Sequence, residues 1–159
     1  MSHEEQDRLS RTALTVFRLN GQFLSVAEGL ARPAGLTAAW WQVLGAVVGD
    51  PLPVSGIARA MGISRQAVQR IADLLVDKGL AEYAANPAHR RAKLLRPTPR
   101  GRAAMARINP GHAEFAARLA SELGPEESAE TVRVLERLSR VLDAMDPPRD
   151  PGAPTPSGG

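Results

Sequence analysis

The sequence predicts an all-α fold with a small β-wing: a winged helix-turn-helix set between long helices. Three observations predict it. Residues 54–75, VSGIARAMGISRQAVQRIADLL, contain two short amphipathic segments joined at Gly62. Two short apolar runs, 80–84 and 92–96, enclose the basic turn NPAHRRAK and read as a hairpin. Extended helical periodicity lies on both sides of this block.

Taken in order, the first helix is expected over 5–31. Leu9, Ala13, Val16, Asn20, Phe23, Ala27 and Leu30 recur at helical spacing, and Phe17 and Leu24 widen the stripe. Arg32-Pro33-Ala34-Gly35 ends it. Thr37 is a fitting N-cap for a second helix over 38–48, and Asp50-Pro51-Leu52-Pro53 reads as a turn. Ser55 is expected to cap a helix over 56–61, which Gly62 breaks by taking the left-handed conformation. Ser64 caps the next helix, 65–78, which stops at Gly79. After the hairpin, Thr98-Pro99 is a helix start, with proline at the first helical position. That helix should reach about residue 122, with Asn109-Pro110-Gly111 kinking it or splitting it in two. A last helix is expected over 126–145, and the proline- and glycine-rich segment 147–159 reads as disordered.

Hydrophobic residues make up 43% of the 159 positions but aromatics only 4%, so aliphatic residues and alanine must build the core. The absence of cysteine excludes disulfides, thiolate metal sites and thiol redox sensing. No apolar run is long enough to span a membrane. The polar N-terminus MSHEEQDRLS does not resemble a signal peptide, so a cytoplasmic protein is expected. The net charge of +3 conceals an uneven distribution. Residues 55–107 hold eleven Lys/Arg against three Asp/Glu, or +8; the rest hold nine against fourteen, or −5. A genome-wide arginine bias would not leave the flanks acidic. A local polyanion-binding surface is the better reading.

The second helix of the 54–75 block divides by geometry. Val68, Ile71, Ala72 and Leu75 form a core face, with Ile63 also expected to point inward, while Arg65, Gln66, Gln69, Arg70 and Asp73 face away. Arginine can pair bidentately with guanine, and glutamine with adenine, in the major groove. The first two turns contain no acid, unlike an ordinary solvated helix that mixes Glu with Lys. Ser55 and Ser64, at helix starts with free backbone N–H groups, are expected on phosphates. Beyond this helix, Arg90 and Arg91 at the wing tip would enter a flanking minor groove, whose potential is enhanced where it is narrow. Lys93 would take a phosphate. Their mutual repulsion would be relieved on a polyanion.

At this point the chain resembles the MarR (multiple antibiotic resistance regulator) family of bacterial transcription regulators, over roughly residues 8–146. The resemblance rests on the recognition helix ending in DLLVDKGL, the basic wing NPAHRRAKL and the TPRG that opens the fifth helix. It implies a homodimer binding double-stranded DNA. Residues 5–36 and 99–146 would be dimerisation helices, interlocked so that two DNA-binding units, 37–98, meet successive major grooves of a pseudo-palindrome. Repression relieved by a small-molecule effector is the implied action. Two positions depart from the family pattern. His89 stands where an acidic residue often helps hold the wing arginine. Pro97 stands where leucine is common and would end the second wing strand.

Trp40 and Trp41, adjacent on a helix, cannot both face one way. One is expected in the core. The other, with Phe17 and Arg18, is a candidate for the effector pocket the resemblance implies; packing alone is the equal alternative. His3, His89 and His112 are scattered and form no metal-ligand pattern. No nucleophile–base pair, phosphate loop or cofactor motif is visible, so neither an enzyme nor a cofactor is expected. Paired acids such as Glu126-Glu127 sit at a helix start, where they suit the dipole. The rival within DNA binding is a non-specific architectural protein. It would need the basic wing but not Arg65, Gln66 and Gln69.

Overall fold

The computed structural model describes residues 2–145, which form six α-helices, a short 3-10 turn and a three-stranded antiparallel sheet. Residues 146–159 lie outside the described residues, and with them the segment expected to be disordered. Helix α1, His3–Ala31, begins two residues before its expected start. Ser2 and Glu5 form a reciprocal capping box there. The Arg32–Ala34 turn follows, ending on Gly35 at φ 74°. Helix α2, Ala38–Val47, is capped by Thr37, whose Oγ1 accepts from the Trp40 N–H at 3.1 Å. Glu28 of α1 accepts from the Ala38 N–H at 2.8 Å, fastening α1 to the start of α2.

Strand β1, Leu52–Pro53, occupies what reads in sequence as a turn. It pairs with β3, Leu94–Pro97, through Leu52↔Leu95 and Pro53↔Leu94. Two residues bounded by prolines carry no alternation, and proline is tolerated only because β1 is an edge. Strand β2, Ala81–Ala84, pairs on the other side of β3, giving the order β1-β3-β2. Pro97 ends the second wing strand, as expected, and as its last residue it remains in register opposite Ala81 and is buried.

Helix α3, Val54–Met61, starts earlier than expected, so Ser55 lies inside its first turn and Pro53 takes the N-cap position without a side-chain bond. Gly62, at φ 68°, turns the chain towards α4, Arg65–Asp77. Ser64 Oγ accepts from the Ala67 N–H at 3.1 Å, as the cap requires. Ile63 does not point inward. The left-handed turn leaves it at the rim, 40% exposed, with its N–H returned to the Ala58 carbonyl. Helix α4 closes with Gly79 at φ 73°, the Leu80 N–H on Leu75 O and the Gly79 N–H on Val76 O. This is a Schellman arrangement, and Leu75 and Leu80 make its usual hydrophobic pair, both buried.

The core lies between α2, α3, α4, β3 and α5. Leu44, Val43 and Val47 meet Ile57, Val68, Leu75, Leu95 and Ile108, all fully buried. Helix α5, Pro99–Leu123, passes through Pro110 without splitting. Proline removes one rung of the hydrogen-bond ladder and crowds the carbonyl four residues earlier, yet the helix runs on across it. Helix α6, Pro125–Met145, buries no residue and packs against α5. No helix among the described residues is long and apolar enough to cross a membrane.

Candidate nucleic-acid interface

A three-way knot fixes the wing against the helical core. Thr98 Oγ1 accepts from the Gly101 N–H at 3.1 Å and donates to Gly79 O at 2.6 Å, and the Thr98 N–H donates to Leu80 O at 3.1 Å. A Cβ at Gly101 would overlap the Leu80 carbonyl oxygen. The glycine of TPRG thus admits the end of α4 and the start of β2 against the first turn of α5. The hairpin is set at a fixed place beyond α4.

Between the first turns of α3 and α4 and the wing lies an open cleft of about 550 Å³. It is lined by Ser55, Arg65, Gln66, Gln69, Arg91 and Lys93, all singled out in the sequence, and by Pro53, Val54, Tyr83, His89 and Ala92. The core face of α4 is as expected: Val68, Ile71, Ala72 and Leu75 are buried, and Arg65, Gln66, Gln69, Arg70 and Asp73 are exposed. Arg70 falls on the opposite flank of the helix, beside Leu74, Asp73 and Asp77, rather than in the cleft. Ser64 spends its side-chain oxygen on its own helix, leaving its hydroxyl hydrogen for a phosphate. Arg90 is exposed at the wing tip and does not line the cleft.

The wing tip is shaped by local bonds. Asn86 Oδ1 accepts from the Ala88 N–H at 3.0 Å, and the His89 and Ala92 N–H groups close successive turns. Lower in the hairpin, Arg96 pairs with Glu82 across the strands at 2.9 Å. Among the described residues no carboxylate pairs with Arg70, Arg90, Arg91 or Lys93. Unneutralised charge beside helix N-termini makes this face attractive to an extended anion.

Sequence reasoning passed over Tyr83. Its hydroxyl donates to Asp73 Oδ1 at 2.6 Å, while Gln69 Nε2 donates to both Asp73 Oδ1, at 3.0 Å, and the Tyr83 oxygen, at 2.9 Å. Partial burial, and then the charge and hydrogen bond of Asp73, push the phenol up to about 12. The signal was present: Tyr83 is the sole tyrosine of the chain, on the strand that follows α4. Linking it to Gln69 required the sheet geometry.

The residues proposed around an effector are less gathered. Phe17 and Arg18 stand exposed on α1. Trp40 and Trp41 are both half-buried against the core, so neither is wholly a core residue. Trp41 meets His112 of α5 edge to face, ring centroids 5.7 Å apart. Among the described residues no cluster of His, Cys, Asp or Glu could hold a metal ion.

Comparison with known proteins adds to this geometry. The family model described as MarR family matches residues 34–92, from the end of the Arg32–Ala34 turn through the wing tip. The uncharacterized protein Rv2011c of Mycobacterium tuberculosis is 37% identical over 141 residues, covering 89% of this chain and 99% of its own. Among solved structures, the M. tuberculosis transcriptional regulator MosR in complex with DNA superposes with a TM-score of 0.71 at 23% identity, covering 84% of this chain and 97% of that one. BpsR of Bordetella bronchiseptica, whose DNA binding is regulated by 6-hydroxynicotinic acid, gives a TM-score of 0.70 at 23% identity, covering 81% and 98%. At such identities the structural likeness is one of fold.

Proposed function

The chain belongs to the MarR family of winged helix-turn-helix transcription regulators, and from that premise we propose that it is a homodimeric repressor of a pseudo-palindromic promoter site. The observation that carries this reading is the cleft where the first turn of α4 and the wing converge with Arg65, Gln66, Gln69, Arg91 and Lys93. Helix α4 enters the major groove, where Arg65, Gln66, Gln69 and Arg70 read or approach base edges. Ser55 and Ser64 contact phosphate from the first turn of α3 and the cap of α4. Arg90 and Arg91 enter the adjoining minor groove, with Lys93 on the backbone.

Residues 37–98 are the DNA-binding unit of this proposal; residues 5–36 and 99–146 make the dimer. The apolar faces of the terminal helices support it. Leu9, Phe17, Leu142 and Met145 are each more than half exposed in the single chain, on the helices that would meet a second copy. A small-molecule effector, bound near Trp40 and Trp41 and with Phe17 and Arg18 as further candidate contacts, relieves repression. The effector-regulated relative BpsR supports that part.

Selection of genomic DNA fragments by the purified protein at near-physiological salt tests the core of the reading. Enriched fragments should share an inverted repeat with half-sites about one helical turn apart. Fragments retained without a shared motif would favour an architectural role instead. Loss of tryptophan fluorescence on adding a ligand that also releases DNA would support the effector; a flat response across a broad panel of aromatic acids would count against it.

A further inference from the structure

Gln69, Asp73 and Tyr83 form a closed triangle of polar atoms on the exposed side of α4, with all three edges between 2.6 and 3.0 Å. Its chemistry allows one arrangement. An ionised carboxylate only accepts hydrogen bonds. Asp73 Oδ1 therefore takes the hydroxyl hydrogen of Tyr83, and that hydroxyl can then only accept from Gln69. Reversing the Gln69 amide would set its oxygen against the carboxylate and against a hydroxyl with no hydrogen left to give. The Gln69 amide nitrogen is thus turned to the wing strand, and its oxygen is turned away from the triangle. Gln69 also lines the cleft between α4 and the wing and the hollow on the other flank of α4, which places it on the crest of the helix.

We infer that Tyr83 and Asp73 are specificity-determining positioning residues: they fix the Gln69 amide so that its oxygen faces the major groove and selects a base offering an exocyclic amino group, adenine or cytosine. The inference rests on the reading of α4 as the groove helix. An unheld glutamine side chain could rotate its amide and accept either a donor or an acceptor from the base edge. Held as it is here, Gln69 rejects a carbonyl at that position. Neither Tyr83 nor Asp73 needs to touch DNA for this to work. The hydroxyl has its hydrogen to give throughout the physiological range, as any tyrosine does.

The test compares the full-length protein with Tyr83→Phe, Gln69→Ala and the double variant. Each is assayed on a selected binding site and on all single-base changes across one half-site. Gln69→Ala should flatten preference at one base position. Tyr83→Phe should lose about fivefold or more of the discrimination at that same position, with melting temperature and salt dependence close to the parent. The double variant should be no less selective than Gln69→Ala, because the hydroxyl acts only through Gln69. If Tyr83→Phe keeps full discrimination where Gln69→Ala loses it, the positioning role is overturned while the groove-helix reading stands. If Gln69→Ala leaves preference unchanged at every position, base reading by Gln69 falls, and the positioning role with it. Should Tyr83→Phe fail to fold, Asp73→Asn removes the charge that orients the triangle, and the same loss or retention decides the matter.

Discussion

Arg91 lines the cleft with no carboxylate partner among the described residues, so its charge is available to DNA without first breaking an ion pair. Arg91→Ala should weaken binding to all sequences alike and lower the slope of log affinity against log salt by about 1. Affinities on two unrelated duplexes across a salt series would check this. Gln66, exposed in the same cleft, belongs to the other class: Gln66→Ala should change which sequence is preferred, and an unaltered selected motif would overturn its place on the reading face. Tyr83 can be followed directly, because it is the only tyrosine. Its near-ultraviolet phenolate absorbance should rise with a midpoint about 12 rather than at the 10.0 of an ordinary phenol. The fold favours the neutral phenol. Stability is therefore untouched by this group below pH 10, where the phenol is neutral in both states, and falls as pH rises from 10 towards 12, because unfolding releases the phenol to ionise. Urea midpoints should drop over that window in the parent and less in Tyr83→Phe.

The helix-turn-helix and the wing hold their geometry through a few backbone junctions. Gly101 is the tightest, because the first turn of α5 lies against the Leu80 carbonyl. Gly101→Ala should destabilise the chain by roughly 2 kcal/mol or more, since a backbone atom cannot move aside as a flexible side chain can. A fall in the denaturant midpoint without a change in slope would show it. Ser64→Ala removes the α4 cap and should cost about 1 kcal/mol. Most elements were legible from such local chemistry. Thr37, Ser64 and Thr98 announced their helices, and Gly62 and Gly79 ended theirs. The misread start of α3 has a non-local cause. Ser55 looked like a cap only because the pairing of Leu52–Pro53 with β3 is invisible locally. That pairing brings Pro53 to the start of α3. Pro97 was expected to end the second wing strand, and β3 does end there, with Pro97 its last rung opposite Ala81. At Pro110 the sequence allowed a kink or a split of α5, and the helix continues through it unsplit.

For the whole molecule, helix α6 is the clearest indication of a second copy. It buries nothing in the single chain, and Val132, Leu135 and Leu142 stand exposed along it. If these residues pair with a partner, Leu142→Glu should give a monomer by light scattering at micromolar concentration. It should also abolish tight binding to a two-half-site duplex while leaving single-site binding weak but present. A parent protein that is itself monomeric would overturn the dimer. By itself the sequence determined the helical periodicities, the caps, the core face of α4 and the concentration of positive charge between residues 55 and 107, because each depends on residue type at short spacing. Only the tertiary structure decided which of those residues share a cleft. It separated Arg70 from Arg91, paired β1 with β3 and tied Tyr83 to Gln69. Such contacts join residues distant along the chain, and their geometry exists only once strands and helices are packed.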